Sequence, residues 1–291
     1  MNDSHRMCNF RDVGPLTRAD GSTLPAGWLF RSDAPSADST SDLEHLRTFG
    51  ITTIVDLRSD GEDPVRPVGI ASSYAYVQAG IDPVDWADEA LGHDDMATFL
   101  SERYLAIADR CLLDDSPMGR ALTVLIAPPD EPRIVWCAGG KDRTGIVMAI
   151  ALRLLKVTDD AIQADYACSS AAAAELRRRA RTASPSVALS GPTSASGAAG
   201  SAVERRAALR QSVAAFPGGV GRFSNPAPPQ AVTRFLHGLC ERYGTVERYA
   251  ELTGVDLRTV HATNQILSSR PVRPPLTPTA WNPDLQKELG E

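Results

Sequence analysis

Nine consecutive residues, Cys137-Ala138-Gly139-Gly140-Lys141-Asp142-Arg143-Thr144-Gly145, hold the chemistry most readily read from this chain. A phosphate dianion is bound by a ring of inward-pointing backbone N–H groups, which a tight turn entering a helix supplies. Gly139 and Gly140 permit the backbone angles of such a turn. Arg143, six residues past the cysteine, can curl back and grip two phosphate oxygens with its planar fork. It would also stabilise the charge on the equatorial oxygens in the transition state. Beneath this cradle Cys137 would lie in the field of a helix N-terminus, which favours thiolate over thiol. The thiolate is then the nucleophile at phosphorus, and Thr144 hydrogen-bonds the sulfur to ease its departure in a second step. Residues Ala138, Gly139, Gly140, Lys141, Asp142 and Arg143 form the phosphate site. The C-x5-R spacing alone is weak. With five cysteines and 27 arginines in 291 residues, roughly one such chain in three contains it by accident. Its placement between a buried strand and a buried helix is what gives it meaning. The plain alternatives are an inert buried thiol for Cys137 and a surface ion pair for Arg143; the helix dipole disfavours the second unless an anion accompanies it.

The leaving oxygen needs a proton, so a general acid is required. Asp142, inside the loop, is the first candidate; Asp82 and Asp85, in Ile81-Asp82-Pro83-Val84-Asp85-Trp86, are the second. Asp142 can equally be a carboxylate that complements the helix dipole, and Asp82 and Asp85 ordinary turn residues beside a proline.

The elements that must position these groups read as alternating α/β sequence over residues 1–168. Strands are predicted at 28–31, 51–57, 74–77 and 133–137, the last a short apolar run of the kind covered on both faces. A helix opens at the capping box Ser41-Asp42-Leu43-Glu44 and ends at Gly50. Amphipathic helices follow over 96–113 and 118–127, the second stopped by Pro128-Pro129. The helix from about Thr144 to Leu155 is apolar almost all round and should be the central buried one. Composition shifts near Ser169: an alanine- and arginine-rich helix to about 182, a Ser/Ala/Gly/Pro stretch over 184–201 expected to be disordered, a possible helix over 203–215, and a loop over 216–229. Helices return at 230–243, 245–252 and 256–268, and residues 270–291 form a proline-rich surface tail.

A net charge of −6 argues against a nucleic-acid partner. The longest apolar run, Ile146–Leu152, falls far short of the roughly 20 residues of a membrane span, and the N-terminus lacks a signal-peptide pattern. Five scattered cysteines without a CxxC pair support neither structural zinc nor a disulfide framework, and a reducing cytoplasm suits a free nucleophilic thiol.

At the 137–145 loop the chain resembles a bacterial and fungal family of tyrosine/serine protein phosphatases, whose loop is written HCxxGKDRTG. Further segments carry the likeness: Asn9-Phe10-Arg11-Asp12-Val13-Gly14 against NFRDxGG, with Pro15 for the second glycine; Arg31-Ser32-Asp33; Asp56-Leu57-Arg58-Ser59 with Glu62 following; Asp165-Tyr166; and Tyr243 to Tyr249. The resemblance implies a protein-tyrosine-phosphatase-like α/β fold, a central mainly parallel sheet flanked by helices. It implies one phosphatase domain over 1–291, with a variable helical lid insertion at 169–228 whose Arg177, Arg178, Arg179 and Arg181 face an acidic substrate, shield the thiolate from oxidants, or simply face water. It implies that Asp142 serves as or assists the acid, that Lys141 approaches the phosphate or acidic substrate groups, and that Asn9, Arg11 and Asp12 brace the loop or only bond a strand end. No metal or other cofactor is needed. Trp136 stands where the family has a histidine that orients the cysteine loop, and so marks a less reactive, specialised or inactive member. The expected substrate is a phosphotyrosine or phosphoserine protein. A small-molecule phosphate handled by the same chemistry, or an inactive phosphate-binding module, are the alternatives; pocket depth and lid shape decide among them, and oligomeric state is not encoded in any motif.

Overall fold

A computed structural model of the protein describes residues 7–35, 40–59, 62, 70–82, 95–112, 116–182 and 227–269. Its centre is a five-stranded sheet in the order β1-β4-β7-β5-β6. The members are β1 (Arg11–Asp12), β4 (Leu29–Asp33), β5 (Thr53–Asp56), β6 (Ala75–Gln78) and β7 (Arg133–Cys137). The last four run parallel, and β1 closes one edge antiparallel. A two-stranded ribbon, β2 (Leu16–Thr17) and β3 (Thr23–Leu24), lies outside it. These match the expected mainly parallel sheet. β1 to β3 escaped prediction because two residues carry no period.

β7 is the middle strand, and its alternation sorts two cores. Ile134 and Trp136 join Phe30 and Ile54 on one face, covered by Leu43 and Leu46 of α1 (Thr40–Thr48), and by Ile70 of α2 (Ile70–Ser73) and the adjoining Tyr74. Val135 and Cys137 face the larger core with Leu29, Val55 and Leu57. That core is built from α3 (Met96–Arg110), α4 (Pro117–Ile126), α5 (Asp142–Leu154), α6 (Asp159–Thr182), α7 (Gln230–Tyr243), α8 (Val246–Leu252) and α9 (Leu257–Ser269). α5 is buried on nearly every side, as its all-round apolar sequence predicts. No helix among the described residues is long and apolar enough to cross a membrane.

Two boundaries differ from expectation. α1 begins at Thr40, so Ser41 lies inside its first turn and is not the cap. α6 begins at Asp159, ten residues before the composition shift at Ser169; its two opening aspartates suit a helix N-terminus, and the shift falls inside the helix. The stretches expected to be disordered, helical or loop over 184–226, and the 270–291 tail, lie outside the described residues, as do the side chains of Arg177, Arg178, Arg179 and Arg181.

Trp136, fully buried, is therefore a core residue of the α1 face, turned to the opposite side of the sheet from Cys137. Trp136→Ala should destabilise the fold by about 3–5 kcal/mol, read as a lowered denaturant midpoint; a loss within about 0.5 kcal/mol would contradict this placement.

Candidate active site

Cys137 ends β7, beside Asp33 at the end of β4, and the chain turns at once into α5. Open parallel sheets place their crevices at these carboxyl ends. The turn is held from behind. Asn9 Nδ2 donates to the carbonyl oxygens of Gly139 at 3.2 Å and Gly140 at 2.9 Å. Arg31 Nη2 donates to the Gly140 oxygen at 2.8 Å. Because a trans peptide sets C=O and the following N–H in opposite directions, pulling these two carbonyls outward turns the N–H groups of Gly140 and Lys141 inward. Gly140 has φ +64°, and a Cβ there would lie 2.2 Å from the Ser32 carbonyl oxygen; only glycine fits. Lys141 stands at the N-cap of α5, and its side chain does not cap the first-turn N–H groups.

The braces are themselves fixed by α6. Asp165 Oδ2 accepts from Arg31 Nη1 at 2.5 Å and Oδ1 from Arg11 Nε at 2.9 Å. Arg11 also donates to Asn9 Oδ1, which settles the direction in which the Asn9 amide points. Burial opposes ionisation of Asp165, but Arg31 and then Arg11 outweigh it and hold the carboxyl below its usual range. Asn9 and Arg11 thus brace the loop as expected. Asp12 does not: its carboxylate accepts from the amides of Gly14 and Gly27 in a neighbouring turn, and burial raises its pKa to about 6 against those two bonds.

Arg143 is buried at the start of α5. Glu62 takes its fork end-on, Oε2 from Nη1 and Oε1 from Nη2, the second at 2.7 Å. The carbonyls of Ile81 and Leu57 accept from Nη1 at 3.0 and 3.4 Å. A guanidinium has five N–H groups. These contacts take both of Nη1 and one of Nη2, and among the described residues Nε and the second Nη2 hydrogen are left, the side edge that grips an oxyanion in bidentate fashion. Burial lowers the Arg143 pKa, but Cys137 and Glu62 outweigh it and raise it, so the cation is secure.

Asp142 opens α5 with its side chain 20% exposed. Tyr104 Oη donates to its Oδ1 at 2.6 Å, and Lys141 Nζ lies 3.6 Å from the same oxygen. Lys141 is buried, not the solvated turn lysine its position allows. Thr144 Oγ1 is buried beside the loop and has no hydrogen-bond partner among the described residues. Asp82 is exposed; burial and then its charge push the Cys111 thiol up to about 11. Asp85 lies outside the described residues. Sequence reasoning missed four partners: Glu62 on Arg143, Tyr104 on Asp142, Tyr166 on Tyr104, and Asp165 on the two arginines. Glu62, Asp165 and Tyr166 stand in quoted motifs, yet only tertiary contact reveals what they hold. No group of His, Cys, Asp and Glu among the described residues forms a metal site.

A family model described as "Tyrosine phosphatase family" matches residues 3–268. A protein of Cupriavidus necator named "Putative tyrosine-protein phosphatase" is 30% identical over 179 residues, covering 59% of this chain and 64% of that protein. The "Triple specificity protein phosphatase PtpB" of Mycobacterium tuberculosis is 30% identical over 205 residues, covering 59% of this chain and 70% of that protein. The chain thus spans a little under two thirds of the first relative's length.

Asp165→Asn should cost about 3–5 kcal/mol at pH 7, because it leaves two guanidinium groups without their counter-charge. The folded carboxyl is held below the unfolded value of about 3.9. Its contribution is therefore complete above that pH and is lost as pH falls through the folded pKa. Thermal unfolding of both proteins should show the gap narrowing below about pH 4; a gap independent of pH would contradict the clamp.

Proposed function

Because the chain belongs to the tyrosine phosphatase family, matched over residues 3–268, we propose that it hydrolyses phosphomonoesters through a phosphocysteine intermediate on Cys137. The supporting observation is the loop whose Gly139 and Gly140 carbonyls are drawn outward by Asn9 and Arg31 directly after the strand that ends in Cys137. Such a loop turns its amides toward an anion seated over the sulfur.

In the first step the Cys137 thiolate attacks phosphorus. The S–P bond forms, the P–O bond breaks with its electron pair going to the leaving oxygen, and Asp142 supplies that oxygen's proton. The free edge of Arg143 and the loop amides from Ala138 to Arg143 hold the equatorial oxygens, where charge gathers. In the second step a water attacks phosphorus, its proton passes to the Asp142 carboxylate, and the S–P bond breaks to regenerate thiolate. The Thr144 hydroxyl, buried beside the loop without a partner, is the donor for the departing sulfur. Lys141, buried within the loop, adds positive charge toward the phosphate. Asp82, exposed after β6, is the reserve acid. None of the five cysteines is in a disulfide, which suits a reducing, cytoplasmic setting. The substrate reading follows the relative named a triple specificity protein phosphatase: a phosphotyrosine or phosphoserine protein. Trp136, packed in the far core, does not by itself disable the site.

Wild-type protein assayed on phosphopeptides, nucleotides, sugar phosphates and phosphoinositides should turn over, and Cys137→Ser should lower kcat at least about a thousandfold. Arg143→Lys should lower it about 10²–10³-fold, and a chelator should change nothing. A preference of about a hundredfold for one small phosphate, about 2.7 kcal/mol, would replace the protein substrate with that molecule. Turnover that survives in Cys137→Ser, or none in wild type, would overturn the proposal.

A further inference from the structure

Two buried tyrosines stand behind Asp142, and the loop chemistry above gives them no part. Tyr104 of α3 and Tyr166 of α6 place their hydroxyl oxygens 2.5 Å apart, and Tyr104 Oη lies 2.6 Å from Asp142 Oδ1. Both rings are fully buried. They meet edge to face at 6.3 Å, and Phe235 of α7 closes the other side of Tyr104 at 6.1 Å. Gly145, one turn into α5, makes room for the pair: a Cβ there would lie 2.8 Å from the Tyr166 ring. The space for a side chain on α5 has been given to a tyrosine from α6.

The proton count fixes the direction of this chain. A phenol carries one hydrogen. While Asp142 is ionised, Tyr104 must donate to it, so the Tyr104 oxygen must accept from Tyr166. The order is Tyr166 to Tyr104 to Asp142 Oδ1. Each bond polarises the next. Burial, and after it the charge of Asp142, raises the pKa of both phenols, so neither loses its proton in the working range. Oδ1 is also the oxygen nearest Lys141 Nζ, at 3.6 Å. With the Tyr104 hydroxyl donating to Oδ1 and the Lys141 cation nearest that oxygen, a proton on this carboxyl belongs on Oδ2.

We infer that Tyr104, backed by Tyr166, is the positioning residue of the general acid: it fixes Asp142 by Oδ1 so that Oδ2 alone delivers the proton to the leaving oxygen. This rests on the phosphatase reading of the site. The proton on Oδ2 moves to the leaving oxygen as the P–O bond breaks; the resulting carboxylate is held by the Tyr104 hydrogen bond until water returns a proton to Oδ2. Among the described residues, the charged and titratable groups that face Asp142 are Lys141 and Arg143 from its own segment, Tyr104 from α3 and Tyr166 from α6; α7 presents the apolar Phe235 to Tyr104.

The test compares aryl phosphates with good and poor leaving groups in wild type, Tyr104→Phe, Tyr166→Phe and Asp142→Asn, each across pH. Tyr104→Phe removes one oxygen and keeps the ring. It should lower kcat about tenfold for phenyl phosphate, the loss of one hydrogen bond to a charged group, and by less than about threefold for p-nitrophenyl phosphate, which needs little protonation. Losing a donor to the carboxylate favours the neutral acid, so the basic limb of the kcat profile should move to higher pH. Tyr166→Phe should do both to a smaller extent, and it carries the test by itself if Tyr104→Phe fails to fold. An equal loss on both substrates with an unmoved basic limb would make the pair packing residues and overturn the inference. If Asp142→Asn itself shows no selective loss on phenyl phosphate, the acid assignment falls, and this inference with it. If Asp142→Asn shows that loss and neither tyrosine variant does, only the positioning claim falls.

Discussion

Asp165 is the charge on which the loop depends. It is buried on α6, where an ionised carboxylate is tolerated only with close counter-charge. It meets that requirement with Arg31 and Arg11. Once fixed, these arginines have donors to spare: Arg31 reaches the Gly140 carbonyl and Arg11 orients the Asn9 amide, which reaches Gly139 and Gly140. A helix distant in sequence thereby sets which way two peptide planes point. The anion cradle is then a consequence of peptide planarity. A buried ion pair of this kind contributes little net stability beyond what an apolar replacement would give. Its value lies in direction: it holds donors inward while no anion is present to draw them there, so no reorganisation is needed when one arrives.

The same helix serves the other end of the chemistry. Asp165 and its neighbour Tyr166 point to different partners, one to the arginines behind the loop and the other to Tyr104 behind Asp142. α5 lies between, buried on nearly every side, and cannot shift without disturbing both. Glu62 adds a third constraint from the segment after β5 by taking the end of the Arg143 fork. Nucleophile, guanidinium and acid are thus each located by a residue from a different part of the chain.

Much of this was legible in the sequence because it is local. The run Arg133–Cys137, the two glycines and an apolar helix announce a strand, a turn and a buried helix, and the structure has β7, a turn with Gly140 at positive φ, and α5. The helices of the C-terminal part were readable for the same reason; Gly244 and Thr245 mark a stop and a cap. What was not legible is long-range. Nothing local tells that Tyr166 fills the space over Gly145, or that Asp165 faces Arg11 across 154 positions. The place of Trp136 was not read from the sequence either: it was noted only as standing where the family has a histidine, and strand alternation sends its indole to the far core. Of the two roles its motif left open for Asp12, three residues along from Asn9 and next to Arg11, the structure has the local one, in a different turn.

The central claim is that a sulfur at the end of β7 takes the phosphoryl group. The most direct measurement is acid quenching during turnover of a slowly hydrolysed aryl phosphate, followed by mass spectrometry of the peptide that contains Cys137 and by phosphorus magnetic resonance of the trapped protein. The account predicts one phosphoryl group on Cys137 with a thiophosphate signal, appearing at least as fast as the steady-state rate. A phosphoryl group on any other residue, or turnover with incorporation of solvent oxygen in a single displacement and no protein-bound phosphorus, would contradict it.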